Sequence, residues 1–161
     1  LTLAGDSLKG FLPLVFFAIL RRFFPAGVDD LTIILVGLGA FFGHLYPIFF
    51  ELKGGKGVAT AFGVLLGWNP VVALLSVGIW GAVFWNTKIS SLSALTAAGF
   101  AVIATIFYAP LDYLWPAVFV MVGMLIYRHR SNIERLIKGE EIPFGQSKPL
   151  SDDDDDDNDE D

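Results

Sequence analysis

No cysteine occurs anywhere in the 161 residues, which excludes disulfides, thiolate nucleophiles and cysteine-based metal sites. Acidic residues are scarce except in one place. Nine of the 17 Asp and Glu residues follow Ser151: Asp152 to Asp157, Asp159, Glu160 and Asp161. The formal net charge of −6 therefore describes the tail, and the body sets 11 basic against the remaining 8 acidic residues, about +3. Charge of either sign is thin, at 17% of residues, while hydrophobic residues make up 54% and the mean hydropathy is +0.60. Apolar runs of membrane length recur between Gly-rich interruptions. The reading is an all-α, polytopic membrane helix bundle over residues 1–145, followed by a disordered, solvated acidic tail over 146–161.

Six spans are expected: Leu8 to Phe24, Leu31 to Phe50, Val58 to Trp68, Val71 to Trp85, Ser90 to Tyr108 and Tyr113 to Tyr127. Val58 to Trp68 is short for a crossing and would have to borrow Lys56 and Gly57 or cross a thinned region. Turns are expected at Asn69-Pro70 and at Ala109 to Asp112. Gly39/Gly43 and Gly63/Gly67 have the small-xxx-small spacing of close helix packing. Trp68, Trp80, Trp85 and Trp115 fall mostly near span ends, where interfacial anchors belong.

Between two apolar stretches stands Lys53-Gly54-Gly55-Lys56-Gly57. Gly54, Gly55 and Gly57 allow backbone N–H groups to approach an anion unobstructed. Lys53 and Lys56 add charge that is costly in hydrocarbon unless an anion or water compensates it. The loop suits a phosphorylated substrate at a membrane surface. It is not a nucleotide-binding Walker loop: Phe50 occupies the first glycine position, and no Ser or Thr directly follows Lys56.

If this loop faces the cytoplasm, so do Lys9, Lys53, Lys56, Lys88, Arg128, Arg130, Arg135, Lys138 and Lys148, leaving Arg21 and Arg22 outside. That is a positive-inside pattern. It gathers three polar clusters on one face. In the first, Asp6 and Lys9 are three apart and would pair on a helix, either as a structural ion pair or as part of a site. In the second, His44 precedes Pro47 and the lysines, placed as a structural histidine or as a base that orients substrate. The third runs from Arg128 to Glu141. Arg128 and Arg135 lie two helical turns apart and could share a face, and Asn132 and Glu141 add hydrogen bonding that charge balance alone does not require.

These strings resemble the bacterial acyl-phosphate:glycerol-3-phosphate acyltransferases, which are integral membrane enzymes. The resemblance runs from Leu1 to about Gly145. It is carried by Gly43-His44-x-x-Pro47 with Lys53 to Thr60, by Arg128-His129-Arg130-x-Asn132-Ile133-x-Arg135-Leu136-x-x-Gly139-x-Glu141, and by Gly5-Asp6-x-x-Lys9-Gly10. It implies acyl transfer from acyl phosphate to the 1-hydroxyl of glycerol 3-phosphate, yielding lysophosphatidate and phosphate for phospholipid synthesis. Neither acyl-CoA, metal nor other cofactor is implied, and the partners would be the two substrates and membrane lipid, not nucleic acid. The implied location is the bacterial inner (plasma) membrane, with a cytoplasmic active face.

By carry-over, Lys53, Gly54, Gly55 and Lys56 form a phosphate site and Gly57 opens the next helix. His44 orients or deprotonates the attacking hydroxyl. Arg128, Asn132 and Arg135 bind substrate, and Glu141 fixes an Arg or Lys. The family also has an earlier span and a Ser-Gly-Asn-Pro-Gly-Ala-Thr-Asn loop, so the chain reads as six spans of seven, truncated at its N-terminus. A transporter or channel for a phosphorylated solute is the alternative. It would place polar residues near the midplane, often in repeated halves, whereas the sequence shows no repeat and its polar clusters gather at one face. A lipid-binding scaffold leaves His44, Asn132 and Glu141 without a purpose.

Overall fold

The computed structural model describes residues 2–48, 54–109 and 114–146. They form α1 (Thr2–Phe23), α2 (Asp30–Leu45), α3 (Val58–Trp68), α4 (Pro70–Thr87), α5 (Ser90–Tyr108), α6 (Leu114–Arg128) and α7 (Arg130–Lys138), with no strand among the described residues. The first six are the apolar helices expected. Three of them, α1, α4 and α5, are long and apolar enough to cross a membrane, and α2, α3 and α6 are shorter apolar helices. Large apolar side chains such as Leu12, Phe16, Leu74, Phe107 and Phe119 stand exposed on the outside of the bundle. That surface suits lipid and would be an aggregation hazard in water. The protein is a membrane protein.

The helix ends have local causes. α1 begins at Thr2, ahead of the expected Leu8: Gly5 does not interrupt it, and the Asp6–Lys9 pair sits within the helix at 3.0 Å. α2 starts where Asp29 accepts a hydrogen bond from the Thr32 N–H at 2.7 Å, a side-chain cap. It ends at Leu45, short of the expected Phe50, because Pro47 has no N–H with which to continue the ladder. Asn69 closes α3 and opens α4: its side chain accepts from the N–H groups of Val71 and Val72, and its Nδ2 donates to the Tyr108 carbonyl at 2.9 Å. α4 then reaches Lys88, which takes a left-handed conformation at φ 59°.

α1 packs most extensively on α3, and α4 on α5. The α1–α3 contact is nearly backbone to backbone. A methyl group at Gly63 would overlap the Ser7 carbonyl, and one at Gly10 the Thr60 carbonyl. Of the two glycine pairs singled out in the sequence, Gly63/Gly67 thus serves packing. Gly39 and Gly43 face open space, and Gly37 is the α2 glycine in close contact, against the Trp68 ring. Trp68 also donates to the Ile33 carbonyl at 3.2 Å, so it packs α3 on α2 and is not a lipid anchor.

At 11 residues, α3 rises only about 16 Å. It lies against α1, α2 and α4, so the short helix is packed among other helices.

Candidate active site

The described side chains of the three predicted clusters sit at the end of the bundle marked by the N-terminus of α3, the C-terminus of α6 and the α4–α5 turn. Gly57, at φ 84°, turns the chain into α3. A Cβ there would meet Leu45 and Phe41, so only glycine fits. Gly54 packs against the carbonyls of His44 and Leu45, and Gly55 lies under the His44 ring, where a Cβ would come 2.8 Å from Nε2. The loop backbone is thus pressed onto the end of α2, with His44 covering it. Lys53, predicted as part of this site, lies outside the described residues.

His44 is mostly buried, and its Nδ1 faces Asp6 Oδ1 at 3.6 Å. Asp6 in turn accepts from Lys9 at 3.0 Å. The first two predicted clusters are therefore one.

Arg128, at the last turn of α6, donates Nε to the Gly55 carbonyl at 3.2 Å and Nη2 to the carbonyls of Gly54 and Gly55. Its guanidinium also lies 5.8 Å from the centre of the Tyr46 ring, within cation–π range. These bonds turn the loop carbonyls inward to Arg128. Arg128 and Arg135 do not share one helical face: the chain breaks at His129 between α6 and α7, and the two arginines take different partners.

Arg135 donates Nε to Glu141 Oε2 at 2.7 Å, Asn132 donates Nδ2 to Glu141 Oε1 at 2.7 Å, and Ser91 donates its hydroxyl to the same Oε1. Glu141 thereby joins α7 to the start of α5. Burial raises its pKa, but the bonds from Ser91, Asn132 and Arg135 outweigh this and hold it below the ordinary 4.5. The chain then reaches the α4–α5 turn, where the Phe144 N–H donates to the Lys88 carbonyl at 2.7 Å. The expected binding of an arginine by Glu141 is present, and Ser91 is a partner the sequence reading missed.

His129 was missed as well. It is buried, and its Nδ1 lies 2.8 Å from the Leu125 carbonyl. A carbonyl only accepts, so Nδ1 carries the proton and Nε2 is left as an acceptor. Burial pushes its pKa below 6.5, reinforced by the charge of Lys56 and opposed by the Leu125 carbonyl and Glu141. His129, Lys56, Ser91, Asn132 and Glu141 line one open cavity, with Val58 in its wall. Asn132 Oδ1 is buried there with no hydrogen-bond partner among the described residues. The cavity therefore offers a cation, a neutral imidazole and an unused amide oxygen. The histidine was visible in the sequence beside Arg128, but nothing there showed that the helix breaks at it and turns it inward.

The family model for glycerol-3-phosphate acyltransferase matches residues 1–139. The chain belongs to the glycerol-3-phosphate acyltransferase family. It is 42% identical to a glycerol-3-phosphate acyltransferase of Neisseria meningitidis serogroup C over 92% of this chain and 73% of that one. It is 43% identical to one of Paraburkholderia phytofirmans, over 92% and 68%. Among solved structures it is similar to PlsY (YgiH), an integral membrane glycerol 3-phosphate acyltransferase. The TM-score is 0.78 and the identity 39% for both the lysophosphatidic acid and the glycerol 3-phosphate forms, which it matches over 87% of this chain and 69% and 68% of theirs. All seven helices thus belong to a known acyltransferase architecture, and the cavity between α5, α7 and the glycine loop is the candidate active site of a family member.

Proposed function

We propose that this cavity transfers a fatty acyl group from acyl phosphate to the 1-hydroxyl of glycerol 3-phosphate. The observation that carries the reading is the joint placement of Lys56, His129 and Asn132 around one opening, beside a glycine loop held by Arg128. Lys56 and the loop N–H groups would bind phosphate, supplying charge and donors where the anion sits. The glycerol hydroxyl would donate to Nε2 of His129, or to His44 as the sequence suggested, with Asn132 Oδ1 as a second acceptor to orient the polyol. The hydroxyl oxygen attacks the acyl carbon, its proton passes to the imidazole, and the carbon–oxygen bond to phosphate breaks. Lysophosphatidate and inorganic phosphate result. A mixed anhydride already carries a good leaving group, so binding, orientation and one base suffice.

In this reading Arg135 and Glu141 hold Asn132 in place, and Asp6 and Lys9 hold His44. The cytoplasmic leaflet of a bacterial inner membrane is the proposed location of the site. Lys9, Lys56, Lys88, Arg128, Arg130, Arg135 and Lys138 lie in or beside helices that end or begin at this face, and Arg21 and Arg22 at the opposite end of α1.

The test is acyl transfer in detergent or lipid with acyl phosphate and labelled glycerol 3-phosphate, beside Lys56→Ala. Lysophosphatidate that falls by about 100-fold in the variant supports the reading, the scale expected for one lost transition-state cation. No product from either protein, with both folded, overturns it.

A further inference from the structure

Arg128 directs its hydrogen bonds at neutral carbonyls. Nε and Nη2 both donate to the Gly55 carbonyl, at 3.2 and 3.1 Å, and Nη2 donates to Gly54 as well. Those carbonyls belong to the Gly54–Gly55 and Gly55–Lys56 peptides, which are trans. A trans peptide carries its C=O and N–H on opposite edges. The N–H groups of Gly55 and Lys56 are therefore turned away from the guanidinium. Neither has a backbone acceptor among the described residues, and accepting at the carbonyl makes each a stronger donor. Arg128 thus fixes the direction of two anion-binding donors without standing where the anion would.

A side chain this long stays in one place only if something holds it, and Tyr46 at the end of α2 is in contact with it. The Tyr46 hydroxyl donates to Met124 Sδ at 3.6 Å, and the Arg128 guanidinium stands 5.8 Å from the ring centre. Met124 and Arg128 lie one turn apart on α6 and so share a face of that helix. The half-buried Tyr46 ring runs along this face, its hydroxyl fixed at one turn and its ring beside the cation of the next. The same end of α2 also packs on the loop directly, through the His44 and Leu45 carbonyls against Gly54.

We infer that Tyr46 is a positioning residue for the phosphate loop and acts through Arg128. This rests on the acyl-transfer reading above, and the group served is the phosphate of glycerol 3-phosphate or of the acyl donor. With the ring in place, Arg128 stays on the Gly54 and Gly55 carbonyls, and the two N–H groups stay presented to the anion. Without it, the guanidinium is released and the loop peptides are free to rotate. The loss falls on phosphate binding in ground state and transition state alike, so it moves KM and leaves kcat.

The test uses the full chain in lipid nanodiscs, with KM measured for each substrate in turn and inorganic phosphate as the binding probe. Tyr46→Leu raises the dissociation constant of phosphate about fivefold, the scale of one partly shielded cation–π contact. KM rises by the same factor for the substrate whose phosphate sits at the loop, and a rise confined to one substrate supports the role and names that substrate. Tyr46→Phe keeps the ring and restores the parent values. Arg128→Lys lacks the planar fork that serves two carbonyls and weakens phosphate binding in its own right. In that background Tyr46→Leu adds nothing, because its route is already cut. Additive losses overturn the proposal, as does phosphate binding that is unchanged or tighter in folded Tyr46→Leu; tighter binding would mark Arg128 as a direct ligand set free. If Tyr46→Leu does not fold, unchanged phosphate affinity in Arg128→Lys overturns the proposal instead. A parent protein that forms no lysophosphatidate overturns the acyl-transfer reading, and phosphate binding alone then decides the role of Tyr46.

Discussion

Nδ1 of His44 stands 3.6 Å from Oδ1 of Asp6, across the contact between α1 and α2. The carboxylate faces that side of the ring, and Nε2 is turned over Gly55. Asp6 thus orients an imidazole carried by another helix, while Lys9 holds Asp6 from the next turn. Asp6→Asn should leave the fold intact and lower kcat about tenfold, about 1.4 kcal/mol of barrier. The effect on KM should be small, because Asp6 acts through the ring. Steady-state kinetics decide it, and a kcat equal to the parent's would remove the Asp6–His44 contact from the reaction.

His129 gives a prediction in pH. Its folded pKa is below 6.5 because burial disfavours the cation and Lys56 opposes it. The neutral imidazole consequently persists as pH falls through 6.5, and the acid limb of kcat/KM should lie below that value. His129→Gln keeps a donor for the Leu125 carbonyl but supplies no base, and activity should fall between about 100-fold and 10,000-fold. An acid limb unchanged in that variant would assign the titration to another group.

Glu141 links stability to pH with a definite sign. Its carboxyl is held below 4.5 in the folded protein, so the stabilisation is complete above that value. It is lost as pH falls from about 4.5 through the lower folded value, where protonation removes the acceptor for Ser91, Asn132 and Arg135. Hydrogen-exchange protection of α7 should decline over that window in the parent. Glu141→Gln should show less protection at neutral pH and little further loss on acidification. Glu141→Ala should cost about 2 kcal/mol, the scale for hydrogen bonds to a charged group. Equal pH dependence in parent and Glu141→Gln would argue against this role.

Gly63→Ala tests the scaffold and not the chemistry. The added methyl overlaps the Ser7 carbonyl, and relieving it means separating α1 from α3 at a cost of about 1–3 kcal/mol. Thermal unfolding in detergent should register the loss, while Gly39→Ala, inside α2 and facing open space, should cause no loss and a small gain from helix propensity. Comparable melting temperatures for the two variants would contradict the packing described.

The apolar runs announced six of the helices, because a membrane span must satisfy its own backbone and reads directly as hydropathy. The α3 boundaries match the expected Val58 and Trp68. Ends set by single residues were harder: Pro47 stops α2 early, and Gly5 does not stop α1. In the site, Asp6, Lys9, His44, Lys56, Asn132, Arg135 and Glu141 carried visible signals of charge and spacing. Ser91 and His129 did not. Ser91 is one serine among several at the start of an apolar helix, and its bond to Glu141 bridges 50 residues. His129 acquires its orientation from a break that hydropathy does not mark. Arg128 carried the charge of a phosphate ligand, and only the fold shows it engaged with the carbonyls of Gly54 and Gly55.

The gathering of Lys56, His129, Asn132, Arg135 and Glu141 at one end of the bundle bears on how turnover finishes. A reaction there makes two products of opposite solubility, an inorganic anion and a single-chain amphiphile. The anion departs into water from an opening that already faces it. The amphiphile partitions sideways into the leaflet whose tails touch the same helices. Phase separation at the boundary clears the enzyme, and neither product has to be carried across the bilayer.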